Sequence, residues 1–397
     1  MIFKKQIVFA CVLLFLIACS KHEETFVPVT LVTANDQLGR TSGELKSFIG
    51  QSGLKLSTSL LQYNVELYSV TYKTTYLGKT ITASGLVILP QTTASVGMVC
   101  FSHGTIASHA EAPSVLPLNS TELILYSAMA SPGYIAVIPD FIGFGSSADV
   151  MHPYYVQDIT ASSVIDLLKA ARELAIQKKV SFNGNLFLAG YSQGGYVTMA
   201  THKAIEKNGL ENFNLIASFP SSGGYDVKGM QNYFFGLSKY DEPFFLAFVA
   251  MAYKTSYNWT QPLTDFFQPK YASVIPGLFD GNKNGDQINA ILNDTIPKLV
   301  NTDLLSTIDT NSKYKYIVDA FNINSLTDWV PTKKMYMFHG DADITVPYQN
   351  SVSTYNKLIS NGASASVVTF TPLPGKTHGT GVVPYIEAFI PIMISLK

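Results

Sequence analysis

Four short stretches hold residue types that could do chemistry together. Gly190-Tyr191-Ser192-Gln193-Gly194 is a Gly-x-Ser-x-Gly string. Glycines two residues before and two after a serine suit a nucleophile on a sharp turn, where the backbone comes too close for a β-carbon. A serine hydroxyl is a poor nucleophile at neutral pH until a base takes its proton. His378, in Thr377-His378-Gly379, is a candidate for that base. An imidazole needs a carboxylate to fix its tautomer and stabilise its charged form. Asp341 and Asp343, in the run His339 to Pro347, are the candidates. His103-Gly104-Thr105 ends an apolar run and could offer backbone N–H groups to a developing oxyanion.

The elements that would position these residues follow from hydrophobic pattern. Asn185 to Ala189 reads as a short buried strand and Tyr196 to Ile205 as a helix, so Ser192 falls on a strand-to-helix turn. Gly97 to Ser102 reads as a buried strand running into His103. Lys334 to Phe338 does the same before His339, and Ala365 to Phe370 before His378. Tyr134 to Pro139 and Leu215 to Phe219 are further strands. Asp158 to Gln177 is an amphipathic helix, with Ile159, Val164, Leu167, Leu168, Ala171 and Leu174 at helical spacing. Thr121 to Ala130, Ser351 to Ile359 and Val382 to Leu396 read as helices. Strands separated by such helices imply a parallel sheet. Val65 to Tyr76 and Thr82 to Leu89, joined by a turn at Leu77-Gly78-Lys79, read as an antiparallel entry with an exposed edge strand.

The rhythm breaks between about residues 225 and 329. No βα unit is evident there, and aromatic residues accumulate, among them Tyr233, Phe234, Phe244, Phe248, Trp259 and Phe266. Asp280 to Asp286 has the spacing of a calcium loop without its closing glutamate, since Ile291 stands there. A polar turn is the expectation. His152-Pro153-Tyr154 suggests no mechanism from sequence.

Together these motifs resemble the α/β-hydrolase superfamily, in the style of its secretory-lipase-like group. HGT at 103–105, PDFIGFGSS at 139–147, GYSQGG at 190–195, HGDADITVP at 339–347 and THG at 377–379 carry the resemblance. It implies an α/β-hydrolase fold: a mostly parallel twisted sheet flanked by helices. Residues 225–329 would then be a helical cap inserted before the strand that carries the acid. It implies Ser192, Asp343 and His378 as a triad in the order Ser, Asp, His, with Asp343 chosen over Asp341 by the HGxxDxxVP register. The oxyanion donors would be the backbone N–H groups of Thr105 and Gln193. His103 would position its loop. Asp140 precedes the serine, which is the wrong order for the acid, so a structural role is expected for it. The implied reaction is ester hydrolysis with no cofactor and no metal. The same frame also serves peptidases. A prolyl-oligopeptidase-type enzyme is one alternative, although no β-rich domain precedes the hydrolase. A non-catalytic, ligand-binding surface lipoprotein is another.

Bulk composition agrees with a large folded unit. Of 397 residues, 47% are hydrophobic, and the formal charge is −1, from Lys+Arg 27 against Asp+Glu 28. No basic run points to nucleic acid. At the N-terminus Lys4 and Lys5 precede an apolar stretch, Ile7 to Ala18, too short for a comfortable membrane span. Leu16-Ile17-Ala18-Cys19-Ser20 resembles the lipobox of bacterial lipoproteins. That resemblance implies a signal peptide at 1–18 and a lipid on Cys19 anchoring the protein in the bacterial cell envelope, with the outer membrane or cell surface favoured. Residues 19–45 are expected as a tether and 46–397 as the hydrolase domain. Removal of the signal would take Cys11 with it and leave Cys100 as the only thiol of the domain, so no disulfide is expected there.

Overall fold

The computed structural model describes residues 26–397. The signal segment 1–18, with Cys11, and the expected lipidation site Cys19 lie outside the described residues. Nine strands form one sheet: β1 Leu31–Arg40, β2 Val65–Tyr76, β3 Lys79–Pro90, β4 Val96–Ser102, β5 Tyr134–Pro139, β6 Phe182–Tyr191, β7 Asn214–Ser221, β8 Lys334–Gly340 and β9 Val368–Leu373. Their order is β1-β2-β3-β5-β4-β6-β7-β8-β9. The pairs from β1 to β5 are antiparallel, and β5-β4-β6-β7-β8-β9 run parallel. This is the expected mostly parallel sheet with an antiparallel entry.

The central strands are buried on both faces, which is why they read as unbroken apolar runs rather than alternations. Leu186 and Leu188 of β6 face one apolar cluster, with Val164 and Val197. Phe187 and Ala189 face the other, with Leu123, Tyr385 and Phe389. The helices divide accordingly. On the first face lie α3 Gln157–Gln177, α4 Gln193–Asn208 and α12 Tyr348–Ser360. On the second lie α1 Ser42–Gln51, α2 Thr121–Ala130 and α13 Val382–Ser395.

The N-terminal part differs from the expectation. Residues 31–40, assigned to the tether, form β1, and α1 begins at Ser42, where Thr41 and Glu44 make a reciprocal capping box. β1 is nearly all solvent-facing, with only Leu31 buried, so it shows no period-two pattern. It covers β2, which is therefore not the edge strand. The buried carboxylate of Glu173 on α3 secures the chain's entry by accepting N–H bonds from Val29, Thr30 and Leu31.

Between β7 and β8 lie seven helices: α5 Val227–Phe235, α6 Pro243–Ser256, α7 Pro269–Val274, α8 Gly285–Asn289, α9 Ile296–Leu299, α10 Thr302–Thr307 and α11 Lys315–Asn324. They form the cap, and many of their aromatic rings pack on one another, as Trp259 does on Phe266 and Tyr316. In the Asp280 to Asp286 turn, Asp280 pairs with Lys283 and Asn284 caps α8. The cap is bonded to the sheet domain at several points. Tyr240 donates to the carbonyl of Thr345 (2.9 Å), Tyr253 to that of Tyr155 (3.0 Å), and Lys357 pairs with Asp226 (2.6 Å).

Candidate active site

Ser192 sits between β6 and α4 with φ 59° and ψ −123°, a conformation costly for any residue with a side chain. Close packing enforces the turn. A β-carbon on Gly190 would lie 2.3 Å from the Gly194 carbonyl oxygen, and one on Gly194 would lie 1.9 Å from that of Ser102. Both contacts are impossible for a real side chain, so the two glycines are steric requirements. The turn brings the β6–α4 junction against the loop after β4: an ideal β-carbon on Gly104 would be 3.7 Å from Ser192 Cβ.

Three loops meet at this point. His378 Nε2 lies 2.8 Å from Ser192 Oγ, and its Nδ1 lies 2.6 Å from Asp343 Oδ2. The carboxylate can only accept from a neutral imidazole, so Nδ1 carries the proton and Nε2 is free to accept from the serine. Asp343 is fully enclosed, and its other oxygen accepts the N–H groups of Thr345 and Val346, each at 3.0 Å. Burial pushes its pKa up. Hydrogen bonds from His339 and His378, and the positive charge these rings can carry, outweigh that and hold the pKa below the ordinary aspartate value. Asp341, the rival, is exposed and accepts the Gly375 N–H at 2.6 Å. Asp140 is buried and accepts from Ser84 and Ser114 at 2.5 to 2.8 Å, tying the 139–147 loop to β3 and the loop before α2.

Gln193 opens α4, and no hydrogen bond among the described residues uses its N–H or that of Thr105. First-turn N–H groups have no partner within their own helix, and they carry the positive end of its dipole. His103 is buried against Phe141, with Nδ1 2.7 Å from the Gly104 carbonyl, and burial pushes its pKa down to about 4. It is neutral and part of the loop's packing.

Several residues that shape the site had no role assigned from sequence. His339 Nε2 faces Asp343 Oδ2 (3.1 Å) and the Val346 carbonyl (2.9 Å), and its Nδ1 lies 2.6 Å from Ser351 Oγ. Tyr191 donates to the His378 carbonyl at 2.6 Å. Tyr385, from α13, donates to the Phe219 carbonyl (2.5 Å) and accepts the Gly190 N–H (2.9 Å), joining β6 and β7 beneath the turn. His339 stood inside a motif and was open to reading. Tyr191 likewise stands inside the serine motif, at a position the motif leaves open, and Tyr385 carries no local signal.

Over Ser192 the cap and the sheet domain line an apolar pocket of about 920 Å³, part of which is open to solvent. Its walls include Met230 and Phe234 of α5, Phe245, Val249 and Ala250 of α6, and Tyr154 and Val346 from the sheet domain. Cys100 lies deep in β4 as a free thiol, its pKa raised by burial to about 12.

No family model and no curated protein matches the chain. Solved structures do. A Legionella pneumophila protein described as a candidate hydrolase superimposes with a TM-score of 0.83 at 25% identity, over 93% of this chain and 98% of its own. The rice cell wall degrading esterase LipA of Xanthomonas oryzae gives 0.77 at 23%, over 92% and 96%. Candida antarctica lipase A gives 0.63 at 16%, over 89% and 78%. The sheet order, the flanking helices and the inserted cap are thus those of an α/β-hydrolase fold.

Proposed function

We propose that the chain is a serine carboxylic-ester hydrolase, an esterase or lipase, with Ser192 as nucleophile, His378 as base and Asp343 as the acid that orients it. The hydrogen-bonded line from Ser192 through His378 to Asp343, at the floor of an apolar cavity, carries the reading. Ser192 Oγ attacks the ester carbonyl while His378 Nε2 takes its proton. The carbonyl oxygen becomes an oxyanion held by the N–H groups of Thr105 and Gln193. The ester C–O bond then breaks, the alcohol leaves with the proton from His378, and Ser192 remains acylated. Water attacks the acyl-enzyme by the same route, releasing the acid and restoring Ser192. Asp343 stays ionised throughout and stabilises the imidazolium.

The cavity wall is apolar, so the acyl group it receives is a hydrocarbon chain or ring. The esterase and lipase activities of the fold neighbours agree with an ester substrate. We place the protein at the bacterial cell envelope, tethered by a lipid on Cys19. Cys19→Ser should then move it from the membrane fraction to the soluble one, whereas unchanged membrane retention would contradict the anchor. The activity is tested with p-nitrophenyl esters from acetate to palmitate, beside a proline-peptide anilide, using protein that lacks residues 1–19. Ester turnover that vanishes in Ser192→Ala is expected. Cleavage of the anilide alone would indicate a peptidase instead. Silence on every substrate, with a ligand bound, would indicate a binding protein.

A further inference from the structure

His152-Pro153-Tyr154 lies just before α3, far in sequence from Ser192, and takes no part in the proposed proton transfers. Its two side chains nevertheless end on the two residues whose N–H groups are assigned to the oxyanion. His152 Nε2 is 2.6 Å from the side-chain amide nitrogen of Gln193, and Tyr154 Oη is 2.8 Å from Thr105 Oγ1. We propose that this three-residue segment positions both backbone donors of the oxyanion hole, holding Gln193 through His152 and Thr105 through Tyr154. The proposal rests on the ester-hydrolase reading above.

The hydrogen-bond pattern is directional. His152 Nδ1 is 2.6 Å from the Ile142 carbonyl, which can only accept, so Nδ1 carries the ring proton. Nε2 is then the acceptor, and the Gln193 amide donates to it. A protonated ring would donate at both nitrogens, and the Gln193 amide would have to turn its oxygen toward Nε2. Burial pushes the His152 pKa down to about 3, so the accepting form persists at any working pH.

The segment is rigid enough to act as a reference. His152 and Tyr154 are each 3% exposed. Pro153 between them fixes its own φ. The rings of Phe144 and Phe248 pack on His152 with centroids at 5.2 and 5.5 Å, and Tyr154 stacks on Phe248 at 4.6 Å. The next residue, Tyr155, has a positive φ, and its carbonyl accepts from both Tyr196 of α4 and Tyr253 of the cap. An apolar ring would fill the His152 site without burying polar atoms. The imidazole and the amide it meets are costly to bury unless they pair, and their pairing fixes a direction. Gln193 is the first residue of α4, so holding its side chain restrains the turn that aims its N–H. Small displacements of such a donor lower the rate steeply.

The test compares wild type with Tyr154→Phe, His152→Leu and His152→Gln in detergent-solubilised full-length protein. Tyr154→Phe deletes one hydroxyl and keeps the ring, so it also serves if His152→Leu fails to fold. The readouts are kcat and KM on p-nitrophenyl butyrate and the inhibition constant of a trifluoromethyl ketone, whose adduct on Ser192 carries an oxyanion. Tyr154→Phe and His152→Leu should each lower kcat by about ten-fold or more and weaken the ketone by a similar factor, with KM changed little. His152→Gln can accept from Gln193 and donate to Ile142, and should recover most of the loss. The proposal is overturned if Tyr154→Phe and every folded His152 variant change kcat and ketone affinity by less than about two-fold. It is also overturned if kcat falls while ketone affinity holds, or if His152→Gln is as impaired as His152→Leu. Wild type that neither turns over the ester nor binds the ketone would instead remove the underlying ester-hydrolase reading, and this proposal with it.

Discussion

His339 and His378 converge on one oxygen: Oδ2 of Asp343 lies 2.6 Å from His378 Nδ1 and 3.1 Å from His339 Nε2. Two N–H donors on one buried carboxylate oxygen, with two backbone N–H groups on the other, make an acceptor that is hard to protonate. The proposed mechanism depends on that carboxylate staying charged beside a base that gains and loses a proton.

Asp343→Asn should lower kcat by roughly ten-thousand-fold by losing the tautomer control, as it does in a Ser-His-Asp enzyme. Asp341→Asn should leave kcat within a few-fold, because Asp341 is exposed, lies outside the hydrogen-bonded line to Ser192, and its amide replacement can still accept the Gly375 N–H. His339→Phe removes one donor from Asp343, so the Asp343 pKa should rise and activity should be lost at a higher pH on acidification. Steady-state rates of the three variants from pH 5 to 8 check all three outcomes.

The strained turn gives a stability prediction. Ser192 holds a positive φ that glycine adopts without steric penalty. Ser192→Gly should abolish hydrolysis and raise stability by about 1 kcal/mol, the release of strain being partly offset by the added flexibility of the unfolded chain. Denaturant melts of the two proteins at one pH measure it.

Buried neutral histidines give the pH dependence of stability. His103 and His152 have folded pKa values of about 4 and about 3, below the ordinary 6.5, in each case chiefly through burial. Between pH 6.5 and 4 the unfolded chain therefore binds more protons than the folded one. Stability from these groups is full above 6.5 and is lost as pH falls, by up to about 1.4 kcal/mol per pH unit for each ring. The depressed pKa of Asp343 acts in the same sense at lower pH, below the ordinary aspartate range. Urea midpoints at pH 7 and 4.5 should show the drop, and His152→Gln should reduce it.

Cavity shape should set acyl preference. Ala250 of α6 is one of the smallest side chains on the wall, at 6% exposure. Ala250→Phe should shift the p-nitrophenyl ester series toward short acyl groups, lowering kcat/KM for palmitate relative to butyrate by roughly ten-fold or more.

What was readable in the sequence tracks how local each requirement is. The turn at Ser192 demands glycine at 190 and 194 because carbonyls occupy the space, so the motif announces itself. The buried strands β4, β6 and β8 read clearly because both faces are apolar. β1 was hidden because only Leu31 is buried, and an exposed edge strand looks like a tether. The cap was visible as a break in rhythm, but its cavity depends on how seven helices pack. His152 and Tyr154 carried no signal because Gln193 and Thr105 are about 40 to 50 residues away in the chain.

Ser192 Oγ is the atom through which the proposed reaction must pass. A fluorophosphonate probe on the intact protein, followed by peptide mapping, tests this most directly. One adduct per chain on the peptide containing Ser192 is expected, absent from Ser192→Ala and rising in step with the loss of ester hydrolysis. Hydrolysis that survives full labelling of Ser192, or proceeds at the wild-type rate in Ser192→Ala, would contradict the mechanism.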